Sequence, residues 1–227
     1  MNTNDSWSGV PLLSNLTKDE LNDLQPFLTK RLFREGDIIF HQDDPGDRLF
    51  LIRDGRVKIS LLAEDGRENV IAIMAKGDCF GELAALDGLP RSATATAMER
   101  TETLFLRRGD LLQFLERHPG AAIKVIDLLS RRLRQTDEQI ADLAFLDVHG
   151  RVARKLLELA SAHGVDKGQG TEIGFFLSQQ ELANLVGASR ESVNKVINYF
   201  KDKGYLAINR GRIVLMNRRA LEQRASY

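Results

Sequence analysis

The chain has 227 residues, enough for one large domain or two ordinary ones, and a 43% apolar share suits a protein with a real core. No apolar run approaches the ~20 residues of a membrane span, and the opening MNTNDSWSGV lacks the basic start and apolar stretch of a signal peptide, so the cytoplasm is expected. A lone cysteine, Cys79, excludes an internal disulfide and any thiolate-rich metal or cluster site, and the formal net charge is zero.

That zero hides a division. From Asp147 onward 13 Lys plus Arg stand against 8 Asp plus Glu, which leaves 19 against 24 in the rest. The C-terminal part therefore carries the positive footprint that a phosphate backbone attracts.

In chain order, residues 1–10 read as a loose tail. Over Leu12–Leu28, Leu16, Leu21, Leu24 and Phe27 recur at helical intervals, with Thr17 as the cap before Lys18-Asp19-Glu20. From about Lys30 to Leu106 the texture changes to short runs: Ile38–Phe40, Leu49–Ile52, Val57–Leu61, Val70–Ile73, Ala95–Ala97 and Thr103–Leu106. Turn pairs punctuate them at Gly36-Asp37, Gly46-Asp47, Asp54-Gly55, Asp65-Gly66 and Gly77-Asp78. Strands at this spacing predict a β-sandwich or small barrel.

Within that region FGELAALDGLPRSATATA, Phe80–Ala97, carries chemistry. Gly81 lets the chain turn so that successive amides, through Glu82 and Leu83, point at an anion where a short helix begins. Glu82 is an acceptor suited to a sugar hydroxyl. Arg91 sits in apolar surroundings, where a charge is costly unless paired. An anionic ligand would pair it, with Ser92 adding a donor; an internal Glu82–Arg91 salt bridge would satisfy the same residues, and spacing does not choose.

Helical texture returns at Gly109–Arg117, and a long segment follows Pro119. There Ile126, Leu129, Leu133, Thr136, Ile140 and Leu143 are spaced 3, 4, 3, 4 and 3 apart. This a/d seam predicts a homodimer through the helix, the alternative being a helix packed on its own barrel. The seam ends at Phe145-Leu146 and Asp147 can cap the next helix, which carries Val152, Leu156 and Leu159. Phe145–Asp147 is thus the expected hinge. The expected division is a barrel over 1–118, helix and hinge over 119–146, and a last domain over 147–227.

After the polar turn Gly164–Gly170, Ile173–Leu177 reads as a strand leading into LSQQELANLVGASRESVNKVINYF. Ser178 and Glu181 form a capping box. Leu182, Leu185 and Val186 face inward, Gly187 turns the chain, and Ser189 caps a second helix whose Val193, Val196, Ile197 and Phe200 are buried. Its outer face offers Arg190, Glu191, Asn194 and Lys195, side-chain types that reach base edges in a major groove. A plain helical hairpin with a solvated face is the competing reading. Downstream, Tyr205–Ile208 and Ile213–Leu215 flank Asn209-Arg210-Gly211-Arg212, a wing whose basic tip, Arg210 and Arg212, would lie over phosphates. Arg218–Arg224 reads as a solvated basic helix.

The cassette FGELAALDGLPRSATATA, the hinge LAFLDVHGRVA and the recognition stretch VGASRESVNKVI, in this order, resemble the cyclic AMP receptor protein/FNR (Crp/Fnr) family of bacterial transcription regulators over about residues 10–220. The resemblance implies an α+β fold: an N-terminal β-barrel (jelly-roll) cyclic-nucleotide-binding domain, a long dimerisation helix and a C-terminal winged helix-turn-helix. It implies that Gly81, Glu82, Leu83, Arg91 and Ser92 hold a cyclic nucleotide, Glu82 taking the ribose hydroxyl, and that Thr136 meets the base. It places Arg190, Glu191 and Lys195 on base-reading positions, with Ser178, Gln179 and Ser189 at the helix starts on DNA. Cyclic AMP is the expected ligand, with no metal, and double-stranded DNA and RNA polymerase are the expected partners. Lys195 stands where the enteric members have Arg, which loses a bidentate fork, and Asn194 stands where they have Gly. Asp137 replaces a small hydroxyl residue. As an acceptor only, it suits the N1–H and 2-amino donors of guanine, so cyclic GMP is the rival ligand. A regulator of this fold that binds DNA without any nucleotide is the remaining alternative. The scattered His41, His118, His149 and His163 compose no catalytic set, so no enzyme is expected.

Overall fold

The computed structural model describes residues 16–226, so the expected tail and the first four residues of the helix expected over Leu12–Leu28 lie outside the described residues. The chain divides into two compact units, between Arg131 and Arg132. The first opens on α1 (Lys18–Leu24), where Thr17 and Glu20 form a reciprocal capping box. Eight strands follow: β1 (Thr29–Phe33), β2 (Ile38–Phe40), β3 (Arg48–Asp54), β4 (Arg56–Leu62), β5 (Glu68–Ala75), β6 (Cys79–Phe80), β7 (Thr94–Ala97) and β8 (Thr101–Arg107). A short α2 (Glu82–Asp87) interrupts them, and α3 (Arg108–Arg117) and α4 (Pro119–Phe145) come after.

The strands form two antiparallel sheets, β1-β8-β3-β6 and β2-β7-β4-β5. This order, with first and last strands adjacent, is a jelly roll. β3 shows why the region reads as an unbroken apolar run. Its side chains alternate faces, and both faces are buried. Phe50 and Ile52 enter the core between the sheets with Val57, Ile59, Phe80, Ala95 and Phe105. Leu49 and Leu51 point the other way, into a second core with Leu24, Leu106, Leu111, Phe114 and Ala121.

Six of the strands coincide with the runs read from sequence. β1 and β6 escaped. β1 is exposed at four of five positions and shows no alternation, and β6 is two residues long. On α4, Ile126, Leu133, Ile140 and Leu143 of the seam remain 56%, 63%, 61% and 57% exposed in the single chain.

In the second unit the long helix breaks after Phe145, and the Asp147 side chain accepts from the Gly150 amide at 2.8 Å to cap α5 (Val148–His163). Val152 and Leu156 of α5 are wholly buried. The unit continues through β9 (Gly164–Asp166), β10 (Thr171–Ile173), α6 (Gln179–Val186), α7 (Arg190–Asp202), β11 (Leu206–Asn209), β12 (Arg212–Leu215) and α8 (Arg218–Arg224), its sheet ordered β11-β12-β10-β9.

Two expectations are corrected here. The strand expected over Ile173–Leu177 lies earlier, at Thr171–Ile173, paired with β9 in what reads as a polar turn. The Gly174 amide bonds the His163 carbonyl at 2.9 Å, which ends the ladder, and Phe175 and Leu177 turn into the core. The basic C-terminal helix is no free charge run either. Leu221 of α8 is wholly buried, and Arg154 of α5 donates to the Ala225 carbonyl at the helix end. Leu221 docks the helix together with Arg218, which donates to Ser161 at 3.3 Å, and Arg224, which donates to Tyr199 at 2.8 Å.

Phe80, 1% exposed, stacks on Phe50 with centroids 5.1 Å apart. Phe80→Ala is expected to destabilise the protein by about 3–5 kcal/mol, read by denaturant unfolding.

Candidate ligand cradle and nucleic-acid interface

The cradle is built where β6 hands over to α2. Gly81 is the N-cap, with φ 73°, and a Cβ there would sit 2.5 Å from Nη1 of Arg91. That guanidinium donates to the Gly81 carbonyl at 2.9 Å and lies over the Phe40 ring, 4.2 Å from its centroid. The Arg91 backbone is clamped as well. Its amide donates to the Asp44 carbonyl at 2.9 Å, and its carbonyl accepts from the Asp43 amide at 2.8 Å. Gly46 completes the enclosure, since a Cβ there would meet Ala84 Cβ at 2.4 Å and Arg91 Nε at 2.9 Å.

Arg91 is only 4% exposed, and its Nε is buried without a hydrogen-bond partner. Its guanidinium bonds the Gly81 carbonyl, and the charges of Asp47, Asp44 and Glu82 act on it. Burial pulls its pKa below the ordinary value. Asp47 opposes that shift, Arg48 adds to it, and Asp44 and Glu82 oppose it more weakly. Arginine nonetheless stays charged at any physiological pH. The sequence thus brings Gly81, Glu82, Leu83, Arg91 and Ser92 to one place, Glu82 buried and Leu83 and Ser92 exposed. Phe40 and Gly46 were missed as parts of it. Gly46 reads as an ordinary turn glycine, and nothing in a strand phenylalanine marks it as a seat for a cation. Thr136 and Asp137 are exposed on α4 beyond the division, in the second unit, and the Thr136 hydroxyl donates to the Arg132 carbonyl of its own helix at 3.0 Å.

In the second unit the helix-turn-helix forms as its caps dictate. Ser178 Oγ accepts from the Glu181 amide at 3.1 Å, and Glu181 reaches back to the Ser178 amide at 2.8 Å. Gly187 ends α6, and Ser189 caps α7 by accepting from the Ser192 amide at 3.1 Å. Arg151 was missed by sequence reading. From α5 it donates to the Val186 carbonyl at 2.8 Å and the Leu146 carbonyl at 3.1 Å, joining the end of α6 to the break before α5.

α7 buries Val193, Val196, Ile197 and Phe200 and presents Arg190, Glu191, Asn194 and Lys195, all exposed. Glu191 and Lys195 are ion-paired at 2.7 Å, one helical turn apart, and the Lys195 hydrogen bond holds the Glu191 carboxyl below its usual pKa. Gln179 of α6 donates to Asn194 at 3.4 Å, so the start of α6 and the outer face of α7 form one surface. The wing pairs Asn209 with Arg212 across a two-residue turn. Arg212 is drawn to the buried Glu172 at 3.5 Å.

Comparison with known proteins agrees with both halves. Residues 30–118 match the cyclic nucleotide-binding domain and residues 150–224 the Crp-like helix-turn-helix domain. The CRP-like cAMP-activated global transcriptional regulator of Mycobacterium tuberculosis is 39% identical over 87% of this chain and 90% of its own length. The cyclic AMP receptor protein of Thermus thermophilus is 35% identical over 95% of this chain and 96% of its own. The solved c-di-GMP-responsive global regulator CLP of Xanthomonas campestris superposes with a TM-score of 0.75 at 26% identity, over 88% of this chain and 99% of that one. With its jelly roll, its buried arginine and its winged helix-turn-helix, this chain belongs to the Crp/Fnr family of transcription regulators.

Proposed function

We propose that this regulator is a homodimer whose grip on a palindromic operator is gated by a cyclic nucleotide, cyclic AMP in the first place. The observation that carries the ligand reading is Arg91, a buried guanidinium whose Nε has no hydrogen-bond partner, beside a turn whose next residues open a helix. A singly charged cyclic phosphate is the partner such a group lacks. Gly81, the amides of Glu82 and Leu83, Arg91 and Ser92 take the phosphate, and Glu82 takes the ribose hydroxyl. Two relatives with a cyclic AMP name support the choice of ligand.

The exposed apolar seam on α4 supports the dimer. Four isoleucine and leucine positions at heptad spacing stay in water unless a second helix covers them. Two recognition helices then read half-sites about one helical turn (~34 Å) apart. The ligand acts by favouring one spacing of those helices over another. A shift from 1:99 to 99:1 requires about 5.5 kcal/mol of differential affinity. Arg190, Glu191 and Lys195 read bases, Asn194 and Gln179 support them, Ser178, Ser189 and Arg212 lie against the backbone, and Arg210 stands at the wing tip beyond the half-site. RNA polymerase is the further partner.

Cyclic GMP is the second reading, and Asp137 favours it. An exposed carboxylate on α4 accepts hydrogen bonds only, which matches the paired donors of guanine better than the single amino group of adenine.

Calorimetric titration with cyclic AMP, cyclic GMP and a cyclic dinucleotide decides among the ligands. Cyclic AMP is expected to bind most tightly, and heat from the dinucleotide alone would refute the assignment. Arg91→Met keeps the aliphatic stem and is expected to abolish that heat while circular dichroism stays native; an unchanged titration removes Arg91 from the site. Arg190→Ala is expected to lose about 1–3 kcal/mol of discrimination at one guanine per half-site in operator-variant binding. An equal loss on every sequence makes it a phosphate contact.

A further inference from the structure

The wing tip and the entry to α6 carry a surface that the recognition helix does not use. Phe176, three residues before Gln179, is large, apolar and 63% exposed. It lies directly under the wing: a Cβ on Gly211 would stand 3.3 Å from two carbons of its ring. The hairpin turn above it consists of Arg210 and Gly211, with φ 48° and 81°. Two successive positive φ values define a type I′ turn, for which asparagine or glycine is the natural first residue. An arginine in this conformation works against its own backbone preference, and its side chain is exposed at the apex. Arg212, the other basic residue of the tip, is drawn back to Glu172. Phe176 therefore leads on one side to Gly211 and on the other, within three residues, to Gln179, which bonds Asn194 on α7. Wing tip, α6 entry and recognition face are one continuous surface.

We propose that the wing extends the interface past the half-site: Arg210 enters the adjoining minor groove and Phe176 lies against its deoxyribose edge. This deepens the DNA-binding reading and rests on it. A guanidinium at a narrow tip is drawn to the strong negative potential of a narrow, A/T-rich minor groove, where no base-specific pattern is needed. An apolar ring beside it suits sugar carbons, which give a charged side chain nothing to pair with. The regulator thus reads flanking DNA by groove width, at positions that α7 does not contact.

The test compares full-length protein, with cyclic nucleotide, on operators that share both half-sites and differ only in flanks, A-tract against G/C-rich, by fluorescence anisotropy at fixed salt. A half-site-scrambled duplex reports separately whether the helix-turn-helix reads DNA at all. The wild type is expected to bind the A-tract operator several-fold more tightly. Arg210→Asn places a residue better suited to the turn, so the wing stays folded while the guanidinium is lost. It is expected to erase the flank preference while keeping discrimination against the scrambled duplex. Phe176→Ser is expected to weaken binding to both flanks, and Phe176→Leu to restore most of it. Equal wild-type affinity for the two flanks overturns the proposal. So does an Arg210→Asn variant that loses affinity equally on both, which leaves Arg210 a phosphate contact.

Discussion

A positive charge held out of water, with its Nε left without a hydrogen-bond partner, organises the ligand cradle of the first unit. The Arg91 guanidinium is nearly wholly buried, with one hydrogen bond to the Gly81 carbonyl and an aromatic face at 4.2 Å. Burying an ion costs several kcal/mol even after relaxation, and a cation–π contact returns about 0.5–2 kcal/mol. Asp47, Asp44 and Glu82 offset part of that cost electrostatically, and Nε still has no hydrogen-bond partner. The surroundings are arranged around that deficit. Gly81 and Gly46 have no side chain because the guanidinium occupies the space, and the loop before β3 is bonded on both sides of Arg91. On the proposed function, an anion delivered there would supply the hydrogen-bond partner that Nε lacks.

The second unit follows a different economy, in which polar groups are already satisfied among themselves. Ser178 and Ser189 each accept a helix-start amide, so their first task is to fix where α6 and α7 begin. Arg151 satisfies two carbonyls that would otherwise end α6 and the break before α5 unpaired. Glu191 and Lys195 neutralise one another in the free protein. Exposed pairs of this kind are weak, so on the proposed function DNA would exchange the contact at little cost. The outer face of α7 is thus tied together by contacts within the unit.

How much was legible in the sequence depended on whether a signal is local. Caps are local, and Thr17, Asp147, Ser178 and Ser189 all cap the helices expected of them. Strands buried on both faces announce themselves as apolar runs, as β3 does, whereas the exposed β1 has no pattern to show. The cradle was half legible. Gly81 and Arg91 belong to one short stretch, but Phe40 and Gly46 join them through the sheet topology. Arg151 touches Val186 across 35 residues of chain, and no spacing rule reaches that far. The C-terminal helix was legible as a helix with exposed charges, whereas its docking through Leu221, Ser161 and Tyr199 depends on distant residues.

The central claim joins the buried charge to the DNA surface, and operator affinity measured with and without cyclic nucleotide tests it most directly. A titration of labelled operator at fixed salt and protein concentration, with saturating cyclic AMP, with cyclic GMP and with neither, reads the coupling. The account predicts markedly tighter binding with one of the two nucleotides than with neither. Identical affinity in all three arms, from protein shown to bind nucleotide in the same buffer, would contradict it.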